Sequence, residues 1–262
     1  MQPWNIAHRG GALLMPENTQ EAFADALARG CDGAELDVQL TRDGVVVVHH
    51  DDRLMADVAR QNGGWLDQPG PRIGDLTFDE LQNFDVGTAR PDSAYALAHP
   101  LLQPVNAKVP KLNTVVELAQ STVRRFRLFV ELKVAEGADP LALADAVYDV
   151  IAARDFLEDA IFVGFDWRAL ARICIRDPDA ACWFTTDKLS GDAWPVIEMI
   201  AAAGGRGWFP HFQDATAENV ACARALGLKV GAWTINRRDD MRALAGLDAI
   251  CTDRPDLLAA LT

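Results

Sequence analysis

Basic residues are in short supply in this sequence: 25 Lys and Arg stand against 38 Asp and Glu, for a formal net charge of −13. A face that tracks the phosphates of nucleic acid needs the opposite balance, so long polyanions are excluded as expected partners. The same acidity repels a small phosphodiester unless a cation, or a few well-placed Lys and Arg side chains, reverse the potential locally. Cysteine is also sparse. The five present (Cys31, Cys174, Cys182, Cys222 and Cys251) form no C-x-x-C pair, which points away from a disulfide framework and toward a reducing cytosol. No uncharged apolar run approaches the roughly 18 residues of a membrane span. The opening residues Met1-Gln2-Pro3-Trp4-Asn5-Ile6-Ala7 lack a basic stretch followed by an apolar one. The expectation is a cytoplasmic protein without a transmembrane segment. Internal repeats and low-complexity tracts are missing too.

What is present is a long, half-apolar chain of 262 residues, enough for one large α/β domain, since single barrels run to about 250 residues. A core of this size needs no structural metal, so any metal is expected to serve chemistry. Short β-branched runs recur at 5–8, 33–39, 126–132, 160–165, 180–185, 207–209, 229–234 and 249–252. Between them lie stretches with helical periodicity at 18–29, 141–154, 167–176, 215–226 and 239–247. Eight strands alternating with helices predict a (β/α)8 TIM barrel spanning 1–262 as a single domain. A further strand, Val45 to His49, follows Thr41-Arg42-Asp43-Gly44, a hairpin signal. It should run antiparallel to strand two and return its end to the C-terminal rim. From about 52 to 110 the rhythm breaks into Gly, Pro, Asp and Gln with one helix expected near 77–83, which reads as an insertion over one side of the mouth.

Glu35 and Asp37 are two apart on strand two, so period-2 alternation puts both carboxylates on one face and Ala34, Leu36 and Val38 on the other. Facing inward, the two charges repel and call for a hard divalent cation; facing outward on an exposed strand they would simply be solvated. Glu131 and Lys133 share a face at the C-terminal end of strand three, where barrel enzymes gather catalytic groups, or where a rim salt bridge would serve. His8 and Arg9 close strand one before Gly10-Gly11. His8 and His50, at two strand ends, have the pKa range for accepting a proton from one oxygen and giving one to another. His49 should face away from His50.

In this order and spacing, His8-Arg9-Gly10, Pro16-Glu17-Asn18-Thr19, Glu35-Leu36-Asp37-Val38, Val47-Val48-His49-His50-Asp51, Glu131-Leu132-Lys133, Trp233-Thr234-Ile235-Asn236 and Thr252-Asp253-Arg254-Pro255 form a set. Over nearly its whole length the chain resembles the glycerophosphodiester phosphodiesterase family. The resemblance implies a calcium- or magnesium-type ion on Glu35, Asp37 and Glu131, acid/base work by His8 and His50, and phosphate contacts from Arg9 and Lys133. It makes Trp233 an apolar wall beside a glycerol, a position that barrel packing would fill equally well. The implied reaction converts a small glycerophosphodiester to sn-glycerol 3-phosphate and an alcohol. The alternatives are a phospholipase D-like lyase on lysophospholipids and a barrel that binds anions without turning them over. Two departures stand out. Met55-Ala56-Asp57-Val58 follows Leu54 where the family has a basic residue and two threonines, so that contact is missing or displaced to Arg60. Gly164 stands where a serine often precedes the strand-four Phe, leaving more room.

Overall fold

The computed structural model describes residues 2–67 and 69–261. Strands β1 (Trp4–Ala7) and β2 (Gly33–Leu40) begin the barrel, and β3 (Val46–Val48) folds back on β2. Three two-residue strands, β4 (Arg60–Gln61), β5 (Gly64–Trp65) and β6 (Phe84–Asp85), make a separate small sheet. The barrel resumes with β7 (Arg127–Leu132), β8 (Ala160–Gly164), β9 (Cys182–Thr186), β10 (Gly207–Pro210), β11 (Lys229–Ala232) and β12 (Ala249–Thr252). Each of the eight staves is parallel to its neighbours, and β1 pairs with both β12 and β2, which closes the ring. The protein is a (β/α)8 barrel with an insertion after its second strand.

The helices are α1 (Gln20–Ala28), α2 (Phe78–Leu81), α3 (Ala94–Ala98), α4 (Leu112–Gln120), α5 (Pro140–Ala152), α6 (Trp167–Arg176), α7 (Trp194–Ala202), α8 (Ala217–Ala225), α9 (Arg238–Ala243) and α10 (Pro255–Ala259). Periodicity locates α1, α5, α6, α8 and α9. It passes over α4, whose preceding Lys111 offers no side-chain cap, over α7, which has Pro195 in its first turn and no side-chain cap, and over α10, which is five residues long and begins at Pro255. Proline is tolerated there because the first helical N–H has no partner in any case.

Alternation along β2 divides its side chains between two regions. Ala34, Leu36 and Val38 join the large core between the strands and the helices. The opposite face looks into the barrel, whose lower half is packed by Ile6, Phe129, Trp183 and Phe209, with the Phe129 ring meeting Trp183 edge-on at 5.3 Å. These rings fill the interior, so polar side chains on the same faces collect only above them.

β3 is antiparallel to β2, with Val38 opposite Val48 and Leu40 opposite Val46. The insertion is more structured than the single helix expected for it: besides α2 it holds α3 and the three-stranded sheet. Two-residue strands are too short to show a period, which is why the sequence hides them. Its own apolar cluster, including Leu54, Ile73, Leu81 and Phe84, packs against Val47 of the return strand. The insertion thereby braces the segment that carries His49 and His50.

Candidate active site

β1 runs directly into a turn at His8-Arg9-Gly10. Arg9 adopts the left-handed region (φ 51°), a conformation worth about 1–2 kcal/mol of strain for a residue with a Cβ. Its backbone N–H is thereby aimed at Glu35 Oε2, 3.0 Å away. Gly10 follows at φ 85°, and a Cβ there would stand 2.6 Å from the Cβ of Ala22 on α1, so this turn can press against the helix only as glycine. The next residues extend the network. Asn18 (φ 57°) donates its backbone N–H to Arg9 O at 2.9 Å, donates Nδ2–H to Asp37 Oδ2 at 2.7 Å and accepts from Asp37 N at 3.2 Å. Thr19 then caps α1, accepting from Ala22 N at 3.1 Å.

On β2 the inward face carries a third polar residue. Gln39 Nε2 donates to the carbonyls of His49, His50 and Asp51 at 2.8, 3.2 and 2.7 Å, fixing the end of the return strand above the carboxylates. Asp37 and Glu131 sit side by side in the register of β2 and β7. One oxygen from each of Glu35, Asp37 and Glu131 lies within 4.8 Å of the others, and all three residues are buried. Glu35 Oε1, Asp37 Oδ1 and Glu131 Oε1 make no hydrogen bond of good geometry. The Lys133 ammonium is in ion-pair range of the last two, at 3.2 Å from Asp37 and closer to Glu131.

Three carboxylates therefore face two permanent cations, Arg9 and Lys133. Arg9 Nε lies 3.3 Å from Asp37, and its Nη1 donates to Glu17 Oε1 at 3.0 Å. Burial, followed by the neighbouring Asp37 and Glu131 charges, pushes Glu35 well above the carboxylate range, and burial also raises Glu131. For Asp37 burial acts in the same direction, but Lys133 and Arg9 outweigh it and hold the group ionised. Burial tends to discharge Lys133; Asp37 and Glu131 reverse that and push it up to about 12. A donor set of buried carboxylate oxygens, incompletely paired and mutually repelling, fits a hard divalent cation such as Ca²⁺ or Mg²⁺.

The imidazoles stand around this cluster. His8 Nδ1 is 2.6 Å from Asp253 Oδ1, and its Nε2 is 3.8 Å from Glu35 Oε2. His50 Nδ1 is 3.0 Å from Asp51 Oδ1, and the ring is within electrostatic reach of Asp37 and Glu131. At the far side of the mouth, Lys133 Nζ lies 5.6 Å from the centre of the Phe165 ring. Phe165 meets Trp233 edge-on at 5.3 Å, and Trp233 meets His211 the same way at 5.7 Å. Trp233 is half-buried: its ring packs against the upper side of the interior aromatic cluster, and its Nε1–H donates to Phe209 O at 3.1 Å.

Residues 8–257 match the family model described as the glycerophosphoryl diester phosphodiesterase family. The chain belongs to that family. A relative named glycerophosphodiester phosphodiesterase, from Caldanaerobacter subterraneus, is 28% identical over 98% of this chain and 96% of its own length. A crystal structure from Silicibacter pomeroyi, assigned provisionally to the same family, is 31% identical and superposes with a TM-score of 0.90 over 98% of this chain and 92% of that one. A phosphodiesterase from Oleispira antarctica, solved with its product sn-glycerol 3-phosphate, is 26% identical with a TM-score of 0.79, covering 100% of this chain and 98% of that one. The present chain is accordingly an enzyme of the phosphodiesterase type.

Against this family background, the structure gathers His8, Arg9, Glu35, Asp37, His50, Glu131 and Lys133 at one end of the barrel, with Trp233 at its edge. Arg60 is not a displaced phosphate contact: it bonds Asp85 at 2.8 Å and lies against Trp65 within the small sheet. His49 is buried apart from the carboxylates and lines a small cavity with Glu17 and Tyr95. Spacing alone gave no role to Asp253, Asp51, Asn18, Glu17 or Gln39. Each orients a predicted residue, and the clue for Gln39 was its place two beyond Asp37 on the same strand face.

Proposed function

We propose that this family member hydrolyses glycerophosphodiesters to sn-glycerol 3-phosphate and an alcohol, with His8 and His50 exchanging protons with the two oxygens in line with phosphorus. The observation that carries the reading is the pairing of each imidazole with its own carboxylate. An ionised carboxylate can only accept, so Asp253 draws the His8 ring proton to Nδ1 and Asp51 does the same for His50. Both Nε2 atoms are then left as the working positions. Asp253 is itself kept ionised: burial works against this, but the bond from His8 prevails, with Asn236 Nδ2 donating from the other side at 2.7 Å.

Arg9 and Lys133 supply the positive charge that a phosphate needs in an otherwise acidic molecule, and Arg9 is pre-aimed by its bonds to Glu35 and Glu17. Glu35, Asp37 and Glu131 would hold the divalent ion, calcium or magnesium, which when bound supplies Lewis-acid relief of charge on the non-bridging oxygens. In the net reaction an oxygen of water bonds to phosphorus, the bond from phosphorus to the alcohol oxygen breaks, and the alcohol leaves with a proton from an imidazole. The Phe165 and Trp233 rings offer an apolar wall to the glycerol carbons. Five free thiols fit a reducing, cytoplasmic setting. Among the described residues no helix is long and apolar enough to cross a membrane.

The test is an assay across several glycerophosphodiesters after chelation and after return of Ca²⁺, Mg²⁺ or Mn²⁺, with sn-glycerol 3-phosphate as the measured product. Activity that disappears with the metal and returns with it supports the reading. Undiminished hydrolysis in chelator overturns the metal's part in it, and no product under any condition overturns the whole.

A further inference from the structure

Arg9 has a second partner beyond the carboxylates of the site, and that partner is held from the insertion. Glu17 spends one oxygen on each neighbour: Oε1 accepts from Arg9 Nη1 at 3.0 Å, and Oε2 accepts from the Tyr95 hydroxyl at 3.3 Å. Tyr95 lies in α3, 78 residues downstream of Glu17 and on a segment foreign to the barrel rhythm. Its ring stacks on His99 at 4.0 Å, with the planes 16° apart, and His99 Nδ1 is 2.7 Å from Tyr95 O. The helix is capped by Ser93, which accepts from Ala96 N at 3.1 Å, and the loop after it is tied back to the His8-Arg9 loop by Gln103 N donating to Leu14 O at 3.2 Å. Both Arg9 and Glu17 side chains are largely shielded from water, at 19% and 18% exposure, so neither can exchange this arrangement for solvent at little cost.

We infer that Tyr95 is a positioning residue for the phosphate-binding guanidinium: its hydroxyl holds one oxygen of Glu17 so that the carboxylate grips Arg9 Nη1 with the other alone, leaving Nη2 available to a phosphate while Nε stays beside Asp37. Without the hydroxyl, Glu17 is free to rotate and take Arg9 in a two-oxygen fork, the geometry that arginine and carboxylate prefer. That fork would withdraw donors from a phosphate. Burial and the Glu17 charge both raise the Tyr95 phenol, which keeps it a donor through the working pH range. The insertion thus reaches the reaction centre through one hydrogen bond, and its sequence can tune anion affinity without altering the barrel.

The inference rests on Arg9 contacting the phosphate, as proposed above. The direct experiment is a calorimetric titration of sn-glycerol 3-phosphate, with divalent cation present, into the wild type, Tyr95→Phe, Arg9→Lys and the double variant, together with melting temperatures. Phe retains the ring that stacks on His99, so the fold is kept. Tyr95→Phe is expected to weaken binding about 3- to 10-fold, the net worth of one ordinary hydrogen bond because the hydroxyl acts on the phosphate only through Glu17 and Arg9, and to have no further effect once Arg9 is Lys. If Tyr95→Phe binds as tightly as wild type, or loses the same factor in both backgrounds, Tyr95 merely fastens the insertion and the inference fails while the functional reading stands. A wild type that neither binds nor hydrolyses overturns both.

Discussion

The two ends of the barrel treat charge in opposite ways. At the N-terminal end Asp248 accepts from Val230 N at 3.0 Å and pairs with Lys229 and Arg224, both at 3.3 Å. There Asp32 accepts from Asn5 N at 2.9 Å, and Trp4 is covered by the Arg127 guanidinium at 4.1 Å. At the C-terminal end three buried carboxylates crowd together with oxygens left over, held by a left-handed arginine and backed by two histidine–aspartate pairs. The first arrangement is what stability alone would produce. The second costs stability, and it persists because Asn18, Arg9 and Lys133 hold the carboxylates and prevent them from turning away. Charges satisfied within the protein hold it together; charges left unsatisfied are available to a ligand.

If that contrast is right, substitutions at the two ends should separate activity from stability. The largest effect is expected at the mouth: His8→Ala or His50→Ala lowers kcat for glycerophosphocholine by about 10² or more, with a melting temperature close to wild type. Near-normal turnover by either variant removes that histidine from the proton transfers. Asp253→Asn should follow with a loss of at least about 10- to 100-fold, the range seen when a carboxylate that orients a metal-bound histidine is removed. Because the amide cannot hold the His8 ring proton on Nδ1 as a carboxylate does, its pH–rate profile should also shift; an unchanged profile would reduce Asp253 to packing.

The N-terminal end should give the reverse pattern. Asp248→Ala strands the N–H of buried Val230, costing about 1–3 kcal/mol of unfolding free energy, while kcat stays within about twofold of wild type. The Asp248 carboxyl is held below its ordinary range: burial opposes this, but the Val230 N–H and the Lys229 and Arg224 charges prevail. Its contribution is therefore present above the unfolded value near 3.9 and is lost as pH falls through the lower folded value. The gap between wild type and Asp248→Ala should narrow in acid, as followed by thermal melts from pH 7 downward. A gap that widens in acid would contradict the assignment.

How far this contrast could be read without coordinates depended on distance along the chain. Alternation alone placed Glu35 and Asp37 on one face of β2 and Ala34, Leu36 and Val38 on the other, because period 2 is a local property of a strand. The Asp-Gly turn similarly announced that β3 would run back along β2. By contrast, the bond from His8 to Asp253 spans 245 positions and joins the first stave to the last, and only closure of the barrel brings those strand ends together. Periodicity also failed in the insertion, where two-residue strands and the five-residue α3 are held by contacts to the barrel rather than by their own pattern. Tyr95 is one such residue, with nothing in its neighbours' sequence to mark it.

The central claim is that Glu35, Asp37 and Glu131 share one divalent cation beside His8, and titration of Mg²⁺ or Ca²⁺ into the chelator-treated chain by calorimetry tests it most directly. One ion per chain is expected for the wild type, with that heat abolished in Asp37→Asn although the variant remains folded. Ion binding of undiminished affinity in Asp37→Asn would place the metal elsewhere and contradict the account.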